Sequence, residues 1–155
     1  MRRLASRSNQ GRGAAPRSDR VGFTNVDAAT RARMQAIRGR DTQPELFVRR
    51  LVHRMGFRFR LHRSDLPGRP DLAFPCSHKI VFVHGCFWHG HRDCRRACLP
   101  TKNAPAWSAK IKANQARDRR VIKSLTRLGW KSLVIWECET SNTKTLKNKL
   151  KRFLS

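Results

Sequence analysis

The stretch Phe82-Val83-His84-Gly85-Cys86-Phe87-Trp88-His89-Gly90-His91-Arg92-Asp93-Cys94 constrains this chain more than any other. The run Ile80-Val81-Phe82-Val83 feeds into it with the β-branched and aromatic composition of a buried strand. A Cys- and His-dense block directly after a core strand sits at that strand's C-terminal end, where sites of open α/β sheets lie. Cys86, His91 and Cys94 read as C-x4-H-x2-C. Thiolates and imidazoles suit a tetrahedral Zn²⁺, and a structural site needs four of them. Cys138, in Trp136-Glu137-Cys138, is the best fourth candidate; Cys98 and the isolated Cys76 are the alternatives. His89, between Cys86 and His91, is placed to be either a ligand or a free imidazole.

Charge narrows the partner. Lys and Arg number 35 against 10 Asp and Glu, a formal charge of +25 in 155 residues. Such an excess calls for a polyanion, nucleic acid before all others. An anionic membrane surface fits less well, since no basic amphipathic helix with a Trp/Phe/Leu face stands out. No apolar run approaches the roughly 18 residues that span a bilayer. Five Cys, clustered with His, fit a reduced compartment with metal-bound thiolates better than a disulfide framework.

The chain is long enough for one domain with one core. Residues 1–25 carry six Arg and little that is apolar, so they read as a disordered basic arm, with a transit peptide as the alternative. Residues 26–155 form the domain. Residues 27–38 are helical in character. Asp41 or Thr42 caps a second helix with Pro44 in its first turn, buried through Leu46, Phe47, Leu51, Val52 and Met55 and closed by Gly56. Residues 57–62 alternate as a half-buried strand does. Residues 66–70 turn into a short strand over 71–74, followed by the strand ending at Val83. A basic loop leads to a long helix over 106–128, inward through Trp107, Ile111, Val121, Ile122, Leu125 and Leu128. A core strand over 130–136 and a Lys-studded last helix, marked by Leu146, Leu150 and Phe153, complete an α/β layer fold.

Hydrolysis of a phosphodiester needs an activated water, charge stabilisation and help for the leaving oxygen. Asp71, at a strand start, is a suitable carboxylate anchor for Mg²⁺, or else a turn residue after Pro70. His84 and His89 are the proton-transfer candidates, being poised near neutral pH. Glu45 completes a Thr42-x-x-Glu45 capping box, which explains it without catalysis.

The motifs Pro67-Gly68-Arg69-Pro70-Asp71, His84-Gly85-Cys86-Phe87-Trp88-His89-Gly90-His91 with Cys94, and Trp136-Glu137-Cys138 resemble those of the very short patch repair endonucleases, in order and spacing. The resemblance spans roughly residues 30–138. It implies a restriction-endonuclease-like single domain, with a mixed central sheet, helices on both faces and a structural zinc site. It implies a Mg-dependent nick 5′ to the T of a T:G mismatch arising from 5-methylcytosine deamination. It makes Asp71 the Mg²⁺ carboxylate, joined by the backbone carbonyl of Val83, where the family usually has Thr. It makes His89 the group that activates water, with His84 assisting at the phosphate and Glu45 an additional acid. Cys86, His91, Cys94 and Cys138 become the zinc ligands. Phe87 and Trp88, as exposed rings on a pinned loop, become a wedge into the base stack with Met34 as partner. The partner is then mismatched double-stranded DNA, with a mismatch-repair ATPase as a further one. The enzyme is expected to be a monomer in the bacterial cytoplasm, bound to no membrane. The rival readings are a non-enzymatic zinc DNA-binding module and a restriction-type nuclease on intact duplex.

Overall fold

The computed structural model describes residues 39–155. The basic arm, the helix expected over 27–38 and Met34 lie outside the described residues. Helix α1 is Gln43–Arg54, with Thr42 as N-cap and Pro44 in its first turn. Strands β1 (Leu72–Phe74), β2 (Lys79–His84) and β3 (Lys131–Trp136) form one sheet in the order β1-β2-β3. β1 pairs antiparallel with β2, Leu72 opposite Val81. β2 pairs parallel with β3, Lys79 opposite Lys131 and His84 opposite Trp136. A parallel pair needs a long crossover, and helix α2 (Ala104–Arg127) lies within it. Helix α3 (Thr143–Leu154) ends the chain's regular structure.

The period-2 alternation of the strands divides the core between the two sheet faces. Leu72, Phe74, Val81 and Ile135 point to one side and pack with Val48, Leu51 and Val52 of α1 and Leu146, Leu150 and Leu154 of α3. Ala73, Ile80 and Phe82 point to the other and pack with Leu66, Leu125 and Trp130, with Val121 of α2 and Val134 beside them. A mixed sheet with helices on both faces is therefore the architecture.

Three expectations change. Residues 57–62 form no strand. Phe57 and Phe59 turn inward and Arg58 and Arg60 outward, as the alternation requires. Only Arg60 bridges, to Ala73 of the three-residue β1, and His62 then leaves the extended region at φ 50°. A short partner strand and a sharp turn cannot support a ladder. Leu128 is 56% exposed rather than inward, because α2 ends one residue earlier and the chain reverses at Gly129, φ 79°. The capping box is not realised, since neither of its two side-chain-to-backbone bonds forms. Thr42 makes no side-chain cap bond to the helix; its hydroxyl donates to Glu45 Oε1 at 2.8 Å, while Glu45 Oε2 accepts from the Asp41 N–H at 2.9 Å.

Candidate functional site

β2 ends at His84, and the chain then folds back on itself. His91 N–H bonds to the Cys86 carbonyl at 2.9 Å and His89 N–H to the Gly85 carbonyl at 3.2 Å. This tight loop gathers two separate groups of ligating side chains.

The first comprises Cys86, His91, Cys94 and Cys138, whose ligand atoms all lie within 4.8 Å of one another. Cys86 Sγ is 3.6 Å and Cys138 Sγ 3.4 Å from His91 Nδ1. Of the candidates for the fourth position, Cys138 joins the group; Cys76 and Cys98 are exposed thiols outside it. Burial pushes the Cys86 thiol up to about 12. A bound cation overrides such a penalty, since a coordinating thiol is deprotonated outright. The Trp-Glu-Cys segment supports the group at each of its positions. Trp136 stacks on the His91 ring at 4.1 Å and 9°, Glu137 Oε2 accepts from the Cys86 N–H at 3.4 Å, and Cys138 is a member.

The second group is His84, His89 and Asp118. The two imidazoles stack at 3.8 Å and 13°, and His89 Nδ1 is 2.5 Å from Asp118 Oδ2. His84 is 9% exposed, with Trp136 edge-on at 5.6 Å. Burial pulls His84 down to about 4, with the His89 charge acting in the same direction and Asp118 opposing it. Sequence reasoning missed Asp118. Its one signal is that it is the sole acid of α2, set among Arg117, Arg119 and Arg120.

Asp71 immediately precedes β1. Its Oδ2 accepts from the Val83 N–H at 2.7 Å, so carboxylate and Val83 backbone are held side by side. Burial pushes the Asp71 carboxyl up to about 6; the Val83 bond opposes this and the nearby Glu45 charge adds to it. Glu45 is 6% exposed and accepts from Arg49 Nη2 at 3.0 Å, so it braces the start of α1 and also faces the site. Asp71, Glu45, Val83, His84, His89 and Asp118 all line one cleft of about 740 Å³, with Trp88 also in its wall. Gly68 (φ 73°) brings the preceding turn against α2, where a Cβ would sit 2.3 Å from Val121 Cγ1.

Phe87 and Trp88 are half-buried, which corrects the expectation of exposed rings. They form a three-ring cluster with Trp107 of α2, at 5.1 Å from Phe87 and 5.8 Å from Trp88, and Lys110 Nζ lies 5.4 Å over Trp88. α2 also holds the loop backbone. Asn114 Nδ2 donates to the Trp88 carbonyl at 2.9 Å, and Gln115 Nε2 to the His89 and Gly90 carbonyls at 3.2 Å each. The side chains of Asn114, Gln115 and Asp118 thus converge on three consecutive loop residues, none of which sequence reasoning identified as their partners.

A carboxylate beside a strand backbone, a carboxylate-oriented imidazole and a Cys/His cluster behind them form a hydrolytic arrangement in a strongly basic chain. Comparison with known proteins decides the family. The model of a family described as DNA mismatch endonuclease Vsr matches residues 24–96. The Vsr endonuclease of Escherichia coli is 42% identical over 113 residues, 72% of each chain. The chain belongs to the Vsr family of DNA mismatch endonucleases. The type II nicking enzyme V.XorIIP of Xanthomonas oryzae is 50% identical over 121 residues, 78% of this chain and 88% of its own length. A further type II nicking enzyme, V.NmeAIP of Neisseria meningitidis, is 36% identical over 121 residues, 78% and 86% of the two chains. Membership of the Vsr family makes this a very short patch repair endonuclease that acts on DNA, on a restriction-endonuclease-like fold. It also accounts for a Cys/His cluster able to hold a metal ion. Among the described residues no helix is long and apolar enough to cross a membrane.

Proposed function

We propose that this enzyme nicks one strand 5′ to the T of a T:G mismatch, the lesion left by deamination of 5-methylcytosine, and does so with Mg²⁺. The observation that carries the proposal is the convergence of Asp71, Val83, His84, His89 and Asp118 on one cleft with Trp88 in its wall. Asp71 and the Val83 carbonyl are the Mg²⁺ ligands in this reading. A buried carboxyl pushed upward beside a second acid, Glu45, is a site that a hard cation would relieve. Bound there, Mg²⁺ supplies charge stabilisation for the phosphoryl oxygens. His89 takes the proton of the attacking water, with Asp118 holding its ring through Nδ1 and leaving Nε2 for the water. His84, stacked flat against His89, assists at the phosphate. Glu45 orients Arg49 and the Asp41 backbone at the mouth of the site.

The second cluster suits Zn²⁺. Metal–sulfur and metal–nitrogen bonds of about 2.3 and 2.0–2.1 Å at a tetrahedral angle put S and N about 3.5 Å apart. The observed separations are 3.6 and 3.4 Å. Zinc would hold Cys86, His91, Cys94 and Cys138, and so frame the loop that carries both His89 and the ring pair. Phe87 and Trp88, with Met34, form the wedge. Leaving the Trp107 cluster is part of what insertion costs them, and a mismatch lowers the rest because its bases unstack more readily. Residues 1–25 act as a basic arm on phosphates beside a catalytic domain over 26–155. The enzyme works as a monomer in the bacterial cytoplasm, with a mismatch-repair ATPase as a further partner.

The experiment is strand-resolved nicking of a T:G duplex and its fully paired counterpart with and without Mg²⁺, using wild type and Asp71→Ala. Nicking of the T strand alone, lost in Asp71→Ala while T:G binding persists, is the expected result. Equal cutting of the paired duplex would identify a restriction-type enzyme instead.

A further inference from the structure

The geometry points to a second duplex-binding surface on α3, separate from the catalytic cleft and indifferent to sequence. α3 carries Lys144, Lys147, Lys149, Lys151 and Arg152 and no Asp or Glu. Lys149 is used internally, bonding to Glu139 Oε1 at 2.6 Å and to the Val134 carbonyl at 3.2 Å. Lys144, Lys147, Lys151 and Arg152 are exposed, and none of them forms an ion pair among the described residues. Positions 144, 147 and 151 recur at helical spacing, so they make one exposed stripe, running beside the buried face of Leu146, Leu150 and Leu154.

This arrangement works against the helix that bears it. Cations spaced three or four residues apart repel each other. Lys144 stands in the first turn, where the helix dipole disfavours positive charge. A polyanion laid along the stripe reverses both effects. The stripe is about 10 Å long at 1.5 Å per residue. A DNA strand presents one phosphate per about 3.4 Å of axis, so the stripe spans about three phosphates. α1, packed against the same core cluster, also carries exposed Arg50 and Arg54.

The surface is not an extension of the cleft. No residue of α3 lines the cleft, which is walled by the start of α1, the approach to β1, the end of β2 and the middle of α2. α3 packs on the sheet face opposite the cluster that contains α2 residues. Its C-terminus is tied to the start of β2, where Lys79 Nζ donates to the Leu154 carbonyl at 3.1 Å. The cleft lies at the other end of that strand, about 16 Å from the Lys151 end of the stripe at roughly 3.3 Å per residue, while the Lys144 end follows the cleft residue Glu137 by one short turn. A duplex on α3 is therefore a second segment, and the enzyme can hold two duplex segments at once. It can then pass from one to the other without first dissociating. The inference rests on DNA as the partner and is independent of which mismatch is cut.

The test is a chase at low salt. A preformed complex of the full chain with a short labelled T:G duplex is mixed with rising concentrations of unlabelled paired duplex, and the dissociation rate is measured. For wild type the rate should rise in proportion to competitor, the signature of direct transfer. For the Lys144→Gln, Lys147→Gln, Lys151→Gln triple variant it should stay flat, with nicking of the short T:G duplex unchanged. Gln is a good helix former, so the variant keeps α3, and its melting temperature should not fall. A wild-type rate independent of competitor overturns the proposal whatever the variant does, and so does a variant that rises like wild type. Loss of T:G nicking in wild type itself would instead overturn the functional reading and leave the transfer result standing.

Discussion

Replacing Asp118 by Asn exchanges one oxygen for nitrogen and removes one charge, leaving the side chain's shape. In the protein Asp118 Oδ2 lies 2.5 Å from His89 Nδ1, and each side chain is 18% exposed. As a carboxylate it only accepts, so it fixes the proton on Nδ1 and frees Nε2 for the attacking water. Asn can present its NH₂ instead, which favours the opposite tautomer. Its neutral amide also no longer stabilises the imidazolium formed when His89 takes a proton. With charge centres about 4 Å apart and an effective dielectric near 20, that attraction is about 4 kcal/mol, or roughly three decades in rate. Partial exposure screens some of it, so the expected loss in kcat is about 10²- to 10³-fold. A wrong tautomer alone has cost about 10⁴-fold in a serine-protease triad, so the figure is on a physical scale.

The assay is single-turnover nicking of a T:G duplex, with affinity and melting temperature measured in parallel. Asp118→Asn should lose rate at nearly unchanged affinity and stability. The cycle with His89→Ala is the sharper measurement. If Asp118 acts through His89, the double variant should be no slower than His89→Ala alone. Additive losses would refute the positioning role, as would an Asp118→Asn enzyme that nicks at the wild-type rate.

Three other changes address the loop. Cys138→Ser should strip one equivalent of zinc and lower the melting temperature, read by elemental analysis and thermal unfolding; full zinc content would remove Cys138 from the ligand set. Gly90→Ala should cost about 1–2 kcal/mol for the left-handed backbone at φ 60° and slow nicking besides. Its new Cβ would meet Gln115 Nε2 at 2.5 Å and Ile111 Cγ2 at 2.7 Å; wild-type stability and rate together would exclude this. Trp88→Ala should lose roughly half of the 3–5 kcal/mol of a fully buried Trp, because the ring is half-buried against Trp107. It should also lower T:G affinity more than paired-duplex affinity, and an unchanged affinity ratio would make the ring purely structural.

The zinc-type cluster was legible because ligand chemistry is local. Cys86, His91 and Cys94 lie within nine residues, and Trp136-Glu137-Cys138 stands out against a basic background. The strands at β2 and β3 were legible from β-branched runs bounded by turns. The contribution of α2 was not. Hydrophobic period says which face of a helix is buried, and Trp107, Ile111 and Leu125 obeyed it. It does not say what lies opposite the remaining faces, so Asn114, Gln115 and Asp118 read as an ordinary solvated side. Their role depends on the parallel β2–β3 crossover bringing α2 over the loop, a tertiary fact. The exposure of Phe87 and Trp88 was misjudged for the same reason, since Trp107, their packing partner, is a residue of α2 nineteen positions beyond Trp88.

The loop that does the work has little of its own to hold it. Between β2 and α2, residues 85–103 contain one short 3-10 turn, and Cys86 is their sole buried residue. A segment without an apolar core cannot offset its ordering entropy by burial. Two other sources of order remain. One is the Cys/His cluster, which ties Cys86, His91 and Cys94 to Cys138 beyond β3. The other is α2, whose side chains satisfy the carbonyls of Trp88, His89 and Gly90. His89 and Trp88 sit where these two supports meet. Removing the metal should therefore free the loop without unfolding the sheet, whose contacts lie in the two clusters on its faces. Rigidity is supplied to the loop from outside, which lets its own side chains be chosen for chemistry and for contact with DNA.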